Sequence, residues 1–243
     1  MATKAVQGKV VSIYVDGINA SPFLQEFEID SQRDDTDVTP FESDNKEFIT
    51  SAAENDVTLT GFYNGDSGSL DELLFNSYGG TVDNVVTIFP GGTSSAKKCL
   101  LVPGTQVGMN VSAAADEQVA LEADFKSALI PGDLLKSPVP VSVTGAGTPL
   151  VGLASTTGLT ANLHVLSLTG APTACVITVE MSTDGSSWTP VLTFTLVVAS
   201  AKGGYTAKTL KNLPINAQLQ AKHTITGGTT PSLNYALAAG RQS

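Results

Sequence analysis

The chain has 243 residues, 42% of them apolar and 15% charged, with a formal net charge of −10. That length allows one or two domains with a real core. The acidic balance excludes a protein that wraps nucleic acid, because such binding rests on Lys and Arg neutralising phosphates.

The charge is unevenly spread. Met1 to Ser137 holds 8 Lys or Arg and 21 Asp or Glu, net −13, whereas Pro138 to Ser243 holds 5 and 2, net +3. Such asymmetry predicts two modules with different surroundings. The two cysteines, Cys99 and Cys175, fall in different halves and form no framework, which suits a reducing compartment. Met1 to Lys9 lacks the apolar core of a signal peptide, so none is expected. No run approaches the roughly 20 apolar residues of a membrane span, so no membrane insertion is expected.

In chain order, Val10 to Val15 reads as a strand turned by Asp16-Gly17. Leu24 to Arg33 alternates Phe27 and Ile29 with Glu26, Glu28 and Asp30; Asn55 to Tyr63 alternates Val57, Leu59 and Gly61 with Asp56, Thr58 and Thr60. Period-two alternation marks strands with one wet face. Between these arms runs a long acidic connection from Asp34 to Thr50. It carries Phe41, Phe48 and Ile49 among carboxylates, and loops of this length are usually functional or disordered. Aromatics without a local core predict docking on another surface, a second copy of the chain included.

Ser69 then reads as a helix N-cap with Glu72 three residues on, and Leu70, Leu73 and Leu74 make an apolar stripe that ends at Gly79-Gly80. So short a helix needs a sheet to lie on. Val82 to Pro90, Lys97 to Pro103, Gln106 to Ala114 and Gln118 to Lys126 read as further strands. Ser137-Pro-Val-Pro140 is the best boundary, two prolines stiffening a short linker. The expected division is 1–137, a linker over 138–149, and a second module over 150–243. That module turns to Thr, Ser, Val and Leu, with strands at Ala161 to Leu168, Ala174 to Ser182, Pro190 to Val197, Tyr205 to Leu210, Ala217 to Thr226 and Ser232 to Ala238. Short strands with Gly and Pro turns predict a β-sandwich, immunoglobulin-like or jelly-roll, with Trp188 anchoring its core.

Catalytic and metal readings find little support. The cluster Asp34, Asp35, Asp37, Glu42, Asp44 and Glu47 lacks EF-hand spacing and its glycine. His164 and His223 belong to no nucleophile pattern and read as satisfied strand histidines. Paired carboxylates for glycoside hydrolysis need a separation that sequence does not show. The expectation is no enzyme, no cofactor and no metal.

Five segments occur in an order that resembles the tail tube (major tail) proteins of long-tailed bacteriophages: Tyr14-Val-Asp-Gly17, Phe27-Glu-Ile-Asp30 with Arg33-Asp34, Asp37-Val-Thr-Pro-Phe41, Val57-Thr-Leu-Thr-Gly-Phe62, and the Leu-Asp-x-Leu-Leu helix. The resemblance covers roughly residues 5 to 135. It implies a mainly β tail tube fold, an antiparallel sandwich or barrel with one flanking helix and a long loop. It implies homohexameric rings stacked into a tube, whose acidic lumen conducts double-stranded DNA without gripping it. The loop residues Arg33, Asp34, Asp35, Asp37, Phe41, Glu42, Asp44, Lys46, Glu47, Phe48 and Ile49 are then expected to reach a neighbouring subunit or ring. Tape-measure, tail-terminator and tail-tip proteins are implied as partners, and the virion tail, assembled in the bacterial cytoplasm, as location. Ser182-Thr-Asp-Gly-Ser-Ser-Trp188 resembles hairpins of sandwich modules appended to phage structural proteins. By that analogy the second module decorates the tube exterior and touches host-surface glycans weakly. The rival readings are a capsid decoration protein and a carbohydrate-binding adhesin.

Overall fold

Eighteen strands and one α-helix account for most of the regular structure among the described residues. These are residues 10–32, 35–38, 46, 48–50, 54–66, 68–80, 83–93, 98–151, 154–216 and 218–242 of a computed structural model. In order they are β1 (Ser12–Val15), β2 (Ile18–Asn19), β3 (Leu24–Gln32), β4 (Asp35–Asp37), β5 (Phe48–Thr50), β6 (Glu54–Phe62), α1 (Leu70–Ser77), β7 (Asn84–Phe89) and β8 (Lys98–Ser112). There follow β9 (Ala120–Ser127), β10 (Ile130–Lys136), β11 (Gly145–Ala146), β12 (Leu150–Val151), β13 (Leu159–Thr169), β14 (Ala174–Ser182), β15 (Thr189–Leu196), β16 (Gly203–Lys208), β17 (Gln218–Thr226) and β18 (Ser232–Arg241). The chain is mainly β with antiparallel pairing, as the alternation predicts.

These elements form two compact units. The first comprises Met1–Pro22, Asn84–Pro103 and Leu129–Ser243; the second comprises Phe23–Asp83 and Gly104–Ala128. The expected division at Ser137 falls elsewhere. β10 pairs with β8 through Ile130↔Leu101 on one edge and with β18 through Gly132↔Gly240 on the other. The C-terminal strands therefore complete a sheet begun by the N-terminal ones, and the Pro138–Pro140 stretch is a connection inside one unit. The reason is edge chemistry: a central strand such as β10 needs ladder partners on both sides.

In the first unit the long sheet runs β16-β13-β18-β10-β8-β7-β1-β2, and a second sheet runs β11-β17-β14-β15 with β12 also on β17. Leu163, Val165, Ile177, Val179, Leu219 and Tyr235 are fully buried members of one apolar cluster contributed by both sheets. A sandwich is thus present, but one of its layers extends into strands from the first half of the chain. The other face of β10 and β18 joins Tyr14, Phe89, Cys99 and Leu101 in a second cluster.

A buried polar row shares that second side. Asn162 Nδ2 donates to Val86 O and Thr87 Oγ1, both at 3.2 Å, and accepts at Oδ1 from Thr206 Oγ1 at 2.9 Å. Gly17 N–H donates to His164 Nδ1 at 3.3 Å, which puts the imidazole proton on Nε2, 2.8 Å from Thr87 Oγ1. Gly17 sits in the turn expected there. Asp16 and Gly17 both have positive φ, and a Cβ on Gly17 would lie 2.5 Å from Val165 O.

Candidate assembly face and edges

The second unit is built on a four-stranded antiparallel sheet, β3-β6-β9 and the later part of β8. Opposite residues of antiparallel strands share a face. The register therefore aligns three rows: Glu26, Thr60, Glu122 and Asn110; Glu28, Thr58, Asp124 and Gly108; and Asp30, Asp56, Lys126 and Thr105. One face thus carries six carboxylates against a single lysine. Lys126 Nζ lies 3.7 Å from Asp56 Oδ1, an exposed pair of small energetic weight. Thr58 Oγ1 donates to Asp124 Oδ1 at 2.7 Å. Alternation within each strand places these carboxylates on polar faces one strand at a time; the register aligns them into one acidic surface.

The intervening rows place Phe27, Leu59, Ala123 and Met109, and then Ile29, Val57, Phe125 and Gln106, on the opposite side. Val57, Leu59, Ala123 and Phe125 are buried. α1 attaches on this apolar side, where Ser77 Oγ donates to Gln106 Oε1 at 2.7 Å. Ser69 caps the helix as expected, accepting from Glu72 N–H at 3.4 Å. The reciprocal bond differs from a capping box: the Glu72 carboxylate accepts from Gly68 N–H. Leu70 and Leu74 are buried and Leu73 is half-buried. Asp71, also buried, accepts from Gly65 N–H at 2.7 Å and Asn64 N–H at 3.1 Å, fastening the turn before the helix.

Among the described residues, β3 and the later part of β8 form the margins of this sheet. β3 pairs with β6 alone among the described residues, and the Gly104–Ser112 part of β8 pairs with β9 on one side. Val107 and Val111 on that part of β8 are 48% and 42% exposed. Open edges carry unpaired backbone donors and acceptors and invite another chain.

Two described stretches of the acidic connection pair as strands. β4 pairs with β5 through Asp35↔Thr50, Thr36↔Ile49 and Asp37↔Phe48, so the arms of the β3–β6 hairpin carry a further short ladder. Lys46 Nζ lies 3.7 Å from Asp37 Oδ2, both side chains being exposed. Arg33, Asp34, Phe41, Glu42, Asp44 and Glu47 lie outside the described residues, and Asp35, Phe48 and Ile49 are described by backbone alone.

The sites expected in the second half fall differently. Trp188 is half-buried just before β15 and is not among the buried core residues; Tyr235, fully buried, fills that role instead. Asp184 explains the displacement. Its carboxylate accepts from Ser186 and Ser187 N–H at 2.9 and 2.8 Å, shaping a connection that leaves Trp188 at the sandwich margin. Those bonds hold the Asp184 carboxyl below the usual carboxylate range. His223 is buried, with Nδ1 3.1 Å from Tyr235 Oη and Nε2 3.0 Å from Val143 O. Burial lowers its pKa, and that of His164 to about 3. Cys99 and Cys175 are free and buried, and burial raises both thiols above their ordinary values. Among the described residues no His, Cys, Asp and Glu group has metal-site geometry, and no helix is long and apolar enough to cross a membrane.

No family model and no curated protein matches the chain. Among solved structures, the tail of an empty gene transfer agent particle with C6 symmetry is 15% identical, covering 53% of this chain and 98% of that one, with a TM-score of 0.44. The SPP1 tail tube is 10% identical, covering 53% and 80%, with a TM-score of 0.44. The SPP1 Dit protein, described as a hub adsorption apparatus protein of phages that infect Gram-positive hosts, is 14% identical over 96% and 100%, with a TM-score of 0.36.

Proposed function

We propose that this chain is a structural virion protein that joins copies of itself side by side through the edge strands β3 and β8 of the second unit. An interface between two different edges is heterologous, and a heterologous interface closes into a ring when its rotation allows. The ring is six-membered on the resemblance read from the sequence, and stacked rings make a tail tube. The observation that carries the reading is the four-stranded sheet with β3 and the later part of β8 at its margins and one acidic face.

Turned inward, that face lines the tube with carboxylates. Duplex DNA carries one negative charge per about 1.7 Å of axis, so an acidic wall repels it from all sides and lets it slide. No catalytic turnover belongs to this role. The β4–β5 hairpin supports contact with a neighbouring subunit or ring, and tape-measure, terminator and tail-tip proteins are the partners the role requires. The half-buried Trp188 supports a secondary, weak contact with host-surface glycans.

Negative-stain electron microscopy across concentration, alone and seeded with a tail-initiation complex, tests the proposal. Sixfold rings or hollow tubes are expected. A monomer under every one of those conditions overturns it.

A further inference from the structure

Two surfaces on the described residues stand out by their chemistry, one in each unit. The first is aromatic. Tyr63, Phe75 and Tyr78 are 40%, 50% and 52% exposed, and the Tyr63 and Phe75 rings meet edge to face with centroids 6.1 Å apart. Exposed Glu72 lies one helical turn from Phe75, and no Lys or Arg occurs in the sequence between Lys46 and Lys97. Three large aromatics on a short helix and its approach form a knob that is both apolar and acidic.

The second surface is a groove of about 780 Å³ in the first unit. Leu100, Pro131, Leu159 and Ala239 are among the residues lining it, and Lys98, Asp133 and Arg241 supply its charge. Lys98 Nζ is 2.8 Å from Asp133 Oδ1, yet the lysine side chain is 84% exposed while the aspartate is 9% exposed. The outward charge of the groove is therefore basic.

The units as wholes repeat this contrast. The second unit holds 3 Lys or Arg against 19 Asp or Glu, net −16, and the first holds 10 against 4, net +6. We infer that the aromatic knob of one copy, Tyr63, Phe75 and Tyr78, docks in the apolar groove around Leu100 and Pro131 of a second copy, with Glu72 facing the basic rim. Apolar contact supplies the affinity, and the opposite net charges set the orientation. Knob and groove are different surfaces, so the contact is head to tail and propagates, as a ring or a stack requires. The inference rests on the self-assembly proposed above and adds a contact distinct from the strand edges.

Mixing two chains in a Cys99→Ala, Cys175→Ala background, one carrying Asn76→Cys beside the knob and the other Leu100→Cys in the groove, tests it, one of the two bearing a mass tag. Under a short thiol crosslinker the mixture is expected to give the mixed dimer, while either variant alone gives none. Rings without the mixed crosslink overturn the docking and leave the ring standing. The crosslink in dimers that never close or stack overturns the ring and leaves the docking. Absence of both at the highest soluble concentration overturns both. A second variant, Phe75→Ser with Tyr78→Ser, removes exposed side chains. It is expected to keep the parent unfolding midpoint and to associate at least about tenfold more weakly; unchanged association overturns the inference.

Discussion

His164 shows how far a single residue could be read. Its place on an alternating strand marks it as a core histidine, but its partners, Gly17 and Thr87, lie in remote segments that no local pattern connects to it. Burial keeps the ring neutral, with a pKa of about 3 in the folded chain against about 6.5 unfolded. The unfolded chain therefore takes up a proton as pH falls below about 6.5, and the folded one does not until near 3. Stability from this group is full above about 6.5 and is lost progressively downward, by about 2 kcal/mol at pH 5. His223 acts with the same sign. Denaturant unfolding at pH 7 and pH 5 should show the loss, and His164→Gln should flatten it; an unchanged slope would reject the assignment. Trp188 shows where residue type misleads. As the sole tryptophan it reads as an anchor, but Asp184 fixes a connection that holds it at the margin. Trp188→Ala should then cost about 1 kcal/mol, whereas Tyr235→Ala, at a fully buried site, should cost about 3–5 kcal/mol. Reversal of that order in thermal or denaturant unfolding would restore Trp188 to the core.

At the scale of elements, the strongest periodic signals were legible. β3, β6, β9 and α1 lie where alternation and the Ser69 cap place them. β8 was not legible as one strand, because Pro103 and Gly104 read as a break. The structure runs through them: the β10 ladder stops at Leu101 and the β9 ladder begins at Gly104, so Pro103 stands between two ladders. The acidic face was legible only as separate alternations, since register between distant strands is not written in either one. It supports a charge test. Replacing Glu26, Glu28 and Glu122 with Lys changes the face from net −5 to net +1. These side chains are exposed or half-exposed, so the subunit should fold and form rings as before. Its tubes should retain short duplex DNA at low salt and release it as salt rises, while parent tubes retain none. Equal passage through both tubes would place the acidic face away from the lumen.

At the scale of the whole molecule, composition suggested two modules in sequence, and the chain instead threads its first unit through both halves. The composition shift near Ser137 is real, but it marks where surface charge changes and not where packing ends. Leu135 belongs to the sandwich cluster, and Ala238 to the cluster around Tyr14 and Phe89. β18 pairs with β13 along nearly its whole length and with β10 on its other side. A chain ending at Ser137 would therefore lose the ladder on one edge of β10. It would also expose Leu134 and Leu135, which are 0% and 2% exposed in the intact chain. Orphaned ladder groups and a bared apolar sheet each cost more than a small domain's margin of stability allows. The truncated chain should fail to give a cooperative unfolding transition and should aggregate, and the complementary chain from Pro138 should leave the other edge of β18 open with the same result. Coexpression of the two pieces should recover soluble protein, because the missing strands are then supplied in trans. A soluble 1–137 fragment that unfolds cooperatively by itself would show that the N-terminal strands close without β18, and the second half would again be an appended domain.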